Sequence, residues 1–174
     1  MITNNKLGMV KENYKIIDNF LDKDSFKQIK ETILGEDFQW FLCNSVAKEN
    51  QKEKHNSFYF VHLIYRNNTV NSSLFKLMSP LLDKLNAKAL IRIKANLYPN
   101  QNKFIRHNSH KDYPYEHKGA ILYVNNNNGY TVLNNKVKIE SIENRVLLFN
   151  PSKSHSSTTC TDEKYRVNIN FNFF

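Results

Sequence analysis

The stretch YRVNINFNFF (165–174) alternates without interruption, setting Val167, Ile169, Phe171 and Phe173 against Arg166, Asn168, Asn170 and Asn172. Successive side chains of a β-strand point to opposite faces, so this segment predicts a strand with one apolar and one polar side. The apolar side must be covered by a core. The polar side carries an arginine followed by asparagines at every second position, where a solvated sheet more often carries Lys, Glu and Thr. Two readings stay open: the lining of a polar cavity, or a face turned to water.

Upstream of this strand, no helical pattern is visible from residue 88 onward. ALIRIKANLYP (89–99), KFIRH (103–107), GAILYVN (119–125), GYTVL (129–133), KVKIESI (136–142), RVLLFN (145–150) and SHSSTTC (154–160) read as short strands. Asn, Gly, Pro, Asp and Lys turns separate them, which is the mark of a sandwich or small barrel. The first half differs. YKIIDNF (14–20), FQWFLCNSV (38–46) and SFYFVHLIY (57–65) are strand candidates, and the charged AKENQKEKHN (47–56) is a loop. LDKDSFKQIKETILG (21–35) places Phe26, Ile29, Ile33 and Leu34 at helical spacing, with Asp22 as N-cap and Gly35 as the stop. SSLFKLMSPLLDKLNA (72–87) is a second helix, capped by Ser72 or Ser73, in which Pro80 predicts a kink or two consecutive short helices. The fold class expected is α+β, mainly β, with the helices covering one face of a sheet.

Length and composition bound the rest. A chain of 174 residues, 40% hydrophobic and 13% aromatic, is the size of one domain with a real core, and residues 1–174 are read as one. No linker, repeat or membrane-length apolar run is present, and the N-terminus lacks the apolar segment of a signal peptide, so a cytoplasmic location is expected. Cys43 and Cys160 read as reduced packing residues rather than a disulfide. The net charge of +9 fits either scattered solubilising lysines or a surface for polyanions. Lys23, Lys27 and Lys30 fall on the first helix, and Lys48, Lys52 and Lys54 in the charged loop.

The chemistry concentrates in HNSHKDYPYEHKG (107–119). In His110-Lys111-Asp112 an imidazole and a carboxylate two residues apart can meet one cation on an extended segment. His155, beyond RVLLFN, is a third ligand within reach once the intervening strands fold back. Two imidazoles and one carboxylate on one face of an octahedral ion is the arrangement of non-haem Fe(II) oxygenases, with positions left open for co-substrate and O₂. Arg166 follows on the polar side of the last strand, and its planar fork suits the far carboxylate of a 2-oxo acid.

The order His110-x-Asp112, His155, Arg166 resembles the signature of the Fe(II)/2-oxoglutarate-dependent oxygenases, nearest their prolyl-4-hydroxylase-like branch. The likeness covers residues 88–174 well and the helical half in outline. It implies a double-stranded β-helix, a jelly-roll barrel with the N-terminal helices packed on the larger sheet. Iron would be held by His110, Asp112 and His155, with 2-oxoglutarate and O₂ as co-substrates and ascorbate as reductant. NLYPN (96–100) is similar to a strand carrying an active-site tyrosine, here Tyr98. ILYVN (121–125) is similar to one whose tyrosine, here Tyr123, bonds 2-oxoglutarate beside the arginine. NNNNGYT and HSSTTCTDEKYRVNIN also look like small phage-encoded members, which implies a viral origin and action in a host cytoplasm.

The resemblance departs at two points: Arg166 stands where collagen-type prolyl hydroxylases use Lys, and their peptide-binding loops are not recognisable. The substrate expected is a protein or peptide side chain such as proline, or a small molecule. The rivals are a nucleic-acid oxidative demethylase and a non-enzymatic basic module, and no membrane partner is expected. His107 reads as a donor orienting a ligand, a surface residue or a substrate contact. His55, His62 and His117 read as structure or surface, and so do Arg106 and Arg145, with Arg106 also a substrate candidate near the mouth. The rim is expected from residues 113–118, Arg106, His107 and residues 46–56.

Overall fold

The computed structural model describes residues 14–46 and 58–174. The terminal strand, β11 (Tyr165–Phe173), runs between β5 (Leu90–Pro99) and β6 (Lys118–Tyr123) in the larger of two antiparallel sheets. From β6 the sheet continues through β9 (Val146–Phe149) to β1 (Tyr14–Ile17). From β5 it continues through β3 (Tyr59–Arg66) to β2 (Phe41–Cys43), with β4 (Thr69–Val70) hydrogen-bonded to β3. The smaller sheet has the order β10 (His155–Ser157), β7 (Asn127–Leu133), β8 (Val137–Ser141). This mainly antiparallel β architecture with few helices is consistent with a jelly roll.

The helices form where their signals lie. In α1 (Lys23–Leu34) the Asp22 carboxylate accepts from the Ser25 amide at 2.9 Å, and Phe26, Ile29 and Ile33 are buried. Gly35 ends the helix in an extended conformation, φ −69° and ψ 154°, and not in the left-handed one. Pro80 separates a 3₁₀ helix (Ser73–Met78), capped by the Ser72 hydroxyl, from α2 (Ser79–Leu85). Two consecutive short helices result, with Pro80 in the first turn of the second, where its missing N–H is harmless. Leu74, Met78 and Leu81 join α1 in one core cluster with Ile93 and Ala95 of β5 and Val167, Ile169, Phe171 and Phe173 of β11. The helices thus cover the apolar side of β11. None of the described helices is long and apolar enough to cross a membrane.

Three details differ from expectation. Residues 103–107 are not a strand: only Arg106 bridges, to Thr158, while the Thr159 hydroxyl accepts from the Ile105 amide and donates to the Lys103 carbonyl. One threonine side chain takes the place of a ladder partner. The strands foreseen over 38–46 and 154–160 shrink to Phe41–Cys43 and His155–Ser157, and Thr69–Val70 was not foreseen. In this glycine-poor chain asparagine makes the left-handed turns, at Asn19, Asn67, Asn68, Asn86, Asn102, Asn134, Asn135 and Asn144. Its short amide tolerates that region better than other side chains. Cys43 and Cys160 are free thiols, the latter buried.

Candidate metal centre and its cavity

The other face of β11 is interior as well. Arg166 and Asn172 are fully buried, Asn168 is 3% exposed and Asn170 9%. The solvent-face reading is thereby overturned: Asn168 and Asn170 line a narrow cavity of about 40 Å³ between the two sheets. β5 faces it with Arg92, Lys94, Asn96 and Tyr98, and the smaller sheet closes it with Thr131, Ser156 and Ser157.

His110, Asp112 and His155 meet at this cavity, their donor atoms all within 4.8 Å of one another. Backbone pairing creates the cluster. His110 and His155 exchange N–H···O bonds of 2.9 and 3.0 Å, which sets their rings 4.5 Å apart. The Asp112 amide is tied to the Pro151 carbonyl at 3.0 Å. Each ring turns its Nδ1 to a backbone carbonyl, His155 to Lys153 at 3.0 Å and His110 to Asn108 at 3.5 Å. Nδ1 then holds the proton and Nε2 keeps its lone pair for a cation.

The ionisation states suit a divalent metal. Burial drives the Asp112 carboxyl up, but the guanidinium of Arg92 at 2.9 Å and the two imidazoles outweigh it and hold the group at about 2. Burial, reinforced by His155, lowers His110 to about 4, so its imidazole is neutral at pH 7. An ionised carboxylate beside a neutral imidazole is donor chemistry that imidazole- and oxygen-binding Fe(II) takes. Asn170 donates to Asp112 Oδ2 at 3.4 Å, Asn172 donates to Asn170 at 2.8 Å, and His117 Nε2 lies 2.7 Å from Asn172 Oδ1. The asparagine row therefore steadies the Asp112 carboxylate.

Arg166 and Tyr123 lie just behind the cavity wall. Arg166 donates to the Ser141 hydroxyl at 2.7 Å, to the Thr131 hydroxyl at 3.0 Å and to the Thr158 carbonyl at 3.4 Å. It has no carboxylate partner among the described residues. Tyr123 also donates to the Thr131 hydroxyl, at 2.8 Å. A hydroxyl offers one donor and two acceptor positions. Both acceptors of Thr131 are taken, so its own proton is free for a further acceptor, and the residue lines the cavity. Tyr98 is a wall residue, stacked on Tyr59 at 5.5 Å and packed 5.3 Å from the Arg166 guanidinium carbon. Gly129 makes room for the arginine, since a Cβ there would lie 2.6 Å from Arg166 Cδ.

The remaining candidates separate. His107 is 4% exposed, which overturns its surface reading; its Nδ1 meets the Ser157 hydroxyl at 2.9 Å, and its buried Nε2 has no partner. Burial, then Arg166, lowers it to about 4. It stands outside the metal cluster. His117 and His62 are structural, the latter bonded to Ser72 and the Gln39 carbonyl. Arg106 is held by Asn135 and Ser156, and Arg145 pairs with Asp18. Of the expected rim, Tyr113 packs under Arg92, and Tyr115 is 45% exposed. Val46 lines the cavity, whereas residues 47–56, with His55, Lys48, Lys52 and Lys54, lie outside the described residues. Sequence reading missed Arg92, Lys94, Asn96 and Thr131. The signal for the first three was present: Arg92, Lys94, Asn96 and Tyr98 alternate with Ile93, Ala95 and Leu97 just as the two faces of β11 do.

No family model matches the sequence, and no curated protein matches it. Solved structures do match. An oxidoreductase of the 2OG-Fe(II) oxygenase family from Burkholderia pseudomallei aligns with TM-score 0.66 at 11% identity, over 94% of this chain and 85% of that one. The fold is that of the 2OG-Fe(II) oxygenases. Prolyl hydroxylases share it. A Trichoplax adhaerens prolyl hydroxylase, in complex with a hypoxia inducible factor oxygen degradation domain peptide fragment, aligns with TM-score 0.63 at 15% identity, over 94% and 84% of the two chains. A Pseudomonas putida prolyl-4-hydroxylase aligns with TM-score 0.55 at 14% identity, over 92% of each chain.

Proposed function

We propose that this protein is an Fe(II)- and 2-oxoglutarate-dependent oxygenase, one double-stranded β-helix domain that hydroxylates a C–H bond of a protein or peptide side chain such as proline. O₂ and 2-oxoglutarate are consumed, and succinate and CO₂ are released. The observation that carries this reading is Arg166, a fully buried cation with no carboxylate partner among the described residues, adjoining the cavity that holds the two-histidine, one-aspartate cluster. A buried charge is costly until an anion or a dense set of hydrogen bonds compensates it. A dicarboxylate with its 2-oxo acid end at the metal and its far carboxylate at Arg166 supplies that anion.

His110, Asp112 and His155 would hold the iron, which when bound supplies O₂ activation coupled to oxidation of the 2-oxo acid. The residues of the chain do the rest. Arg92 keeps Asp112 ionised, and the backbone carbonyls of Asn108 and Lys153 keep both imidazoles turned with Nε2 inward. Arg166 offers a planar pair of N–H donors to the distal carboxylate, and Thr131 adds the O–H that Tyr123 and Arg166 leave free. Tyr98 and the Asn96–Asn168 hydrogen bond of 2.9 Å wall the cavity and limit water beside the reacting groups. The peptide held by the Trichoplax relative supports a peptide substrate.

Two experiments test the reading. Protein supplied with Fe(II) and ascorbate should convert 2-oxoglutarate to succinate without added substrate. Mass spectrometry after incubation with a host peptide library and, separately, methylated oligonucleotides should find one added oxygen on peptides. Demethylated oligonucleotide with no oxidised peptide would reverse the substrate assignment, and no succinate under any condition would end the oxygenase reading.

A further inference from the structure

Three of the four polar side chains that β5 turns into the cavity are engaged by a neighbour, although Arg92 Nε and Asn96 Oδ1 keep no partner of their own among the described residues. Arg92 pairs with Asp112, Asn96 donates to Asn168, and Tyr98 packs between Tyr59 and Arg166. Lys94 does not fit this pattern. An ammonium carries three donors, yet its single hydrogen bond among the described residues goes to the Tyr59 hydroxyl at 3.1 Å, and no carboxylate there pairs with it. A half-buried lysine on the wall of a narrow cavity is an expensive residue to leave in this state.

The co-substrate does not account for it. Across β11, Lys94 stands opposite Asn170, whereas Arg166 stands opposite Tyr98. Four strand positions separate the two residues, roughly 13 Å between their backbones at about 3.3 Å per residue. Asn170, at the level of Lys94, is the residue that reaches Asp112, so Lys94 leaves its strand level with the metal cluster. Charge points the same way. Asp112 pairs with Arg92, and the far carboxylate of 2-oxoglutarate is assigned to Arg166. Lys94 is left as the cavity cation with no anion assigned to it.

We propose that Lys94, seated on Tyr59, is a specificity-determining residue that selects a substrate bearing a carboxylate next to the carbon to be hydroxylated. This deepens the oxygenase reading and rests on it. Lysine suits the role as a compact point charge that needs no bidentate geometry. Tyr59, whose ring lies 5.3 Å from the ammonium, fixes its position. Burial, followed by the charge of Arg92, lowers the ammonium to about 8, so at neutral pH it is charged but under-compensated until an anion joins it.

The test uses the full chain loaded with Mn(II) and 2-oxoglutarate, so that binding is read without turnover. The probes are three blocked peptides that differ only in the residue beside a proline, Glu, Gln or Lys, together with N-acetylglutamate as a free acid. Wild type should bind the Glu peptide about ten- to a hundred-fold more tightly than the Gln peptide, the range of a charge-assisted hydrogen bond. Lys94→Gln should erase that difference, and Lys94→Glu should invert it in favour of the Lys peptide. N-acetylglutamate binding as tightly as the Glu peptide supports the proposal with a small acid as source, and weaker binding supports it with an acidic peptide. Equal binding of Glu and Gln peptides by wild type, no binding of any acidic probe, or unchanged discrimination in Lys94→Gln overturns it. Mn(II) and 2-oxoglutarate are titrated separately into each variant. Loss of 2-oxoglutarate binding in Lys94→Gln reassigns the lysine to the co-substrate and also overturns the proposal. If wild type binds neither Mn(II) nor 2-oxoglutarate, the oxygenase reading fails instead, and the Glu-to-Gln comparison is still read on the protein alone.

Discussion

The two faces of β11 are almost equally buried and do opposite things. Val167, Ile169, Phe171 and Phe173 pack on the helices and gain by leaving water. Arg166, Asn168, Asn170 and Asn172 are just as hidden from solvent, but each engages hydrogen-bond partners across the cavity, along the strand or on the neighbouring β5. Burial alone therefore does not distinguish core from site in this protein. The difference lies in whether removing a side chain leaves a hole or breaks a hydrogen-bond network.

Substitutions on the two sides should separate along this line. The largest effect is expected at the cluster the polar face supports: Asp112→Ala should abolish Mn(II) binding, while His107→Ala should retain it, as isothermal titration would show. Equal losses in the two variants would mean the ligand set is wrong. Arg166→Met comes next. Loss of a buried partner of a carboxylate costs roughly 3–5 kcal/mol, which should raise the 2-oxoglutarate requirement by orders of magnitude in a succinate-release assay. The same variant should unfold in urea somewhat earlier than wild type, because the buried Ser141 and Thr131 hydroxyls and the Thr158 carbonyl lose their donor. An unchanged 2-oxoglutarate affinity would remove Arg166 from the site.

On the apolar face the pattern reverses. Phe171→Ala should destabilise the fold by about 3–5 kcal/mol through the cavity it leaves, while the fraction still folded binds Mn(II) normally. A loss of stability is also expected from acidification without metal. His107 and His110 have folded values near 4, below the ordinary 6.5, so the unfolded chain binds more protons between those limits. Stability should fall as the pH drops from about 6.5 to 4, and Asp112, lowered from 3.8 to about 2, should extend the loss below that. A urea midpoint independent of pH over this range would contradict the buried, neutral state of both imidazoles. Smallest of all, Asp22→Ala should cost about 1 kcal/mol by uncapping α1, with no change in metal affinity.

Local pattern carried a large part of this protein. The alternation in residues 166–173 specified a strand and its two faces, Asp22 and Gly35 bounded α1, and Pro80 broke the second helical segment in two. These features depend on neighbours along the chain, which a linear reading sees directly. The His110-x-Asp112 pair belongs to the same class. What folding alone decided depends on register between distant segments. The paired bonds between His110 and His155 bring the third donor to the other two, and the smaller sheet roofs the polar face of β11, converting an ambiguous row of asparagines into a cavity wall. Arg92 reaching Asp112, Thr131 collecting Tyr123 and Arg166, and Thr159 displacing a strand at residues 103–107 are contacts of the same kind. A two-residue period says which way a side chain points but not what stands opposite it, because the partner is set by sheet order and hydrogen-bond register.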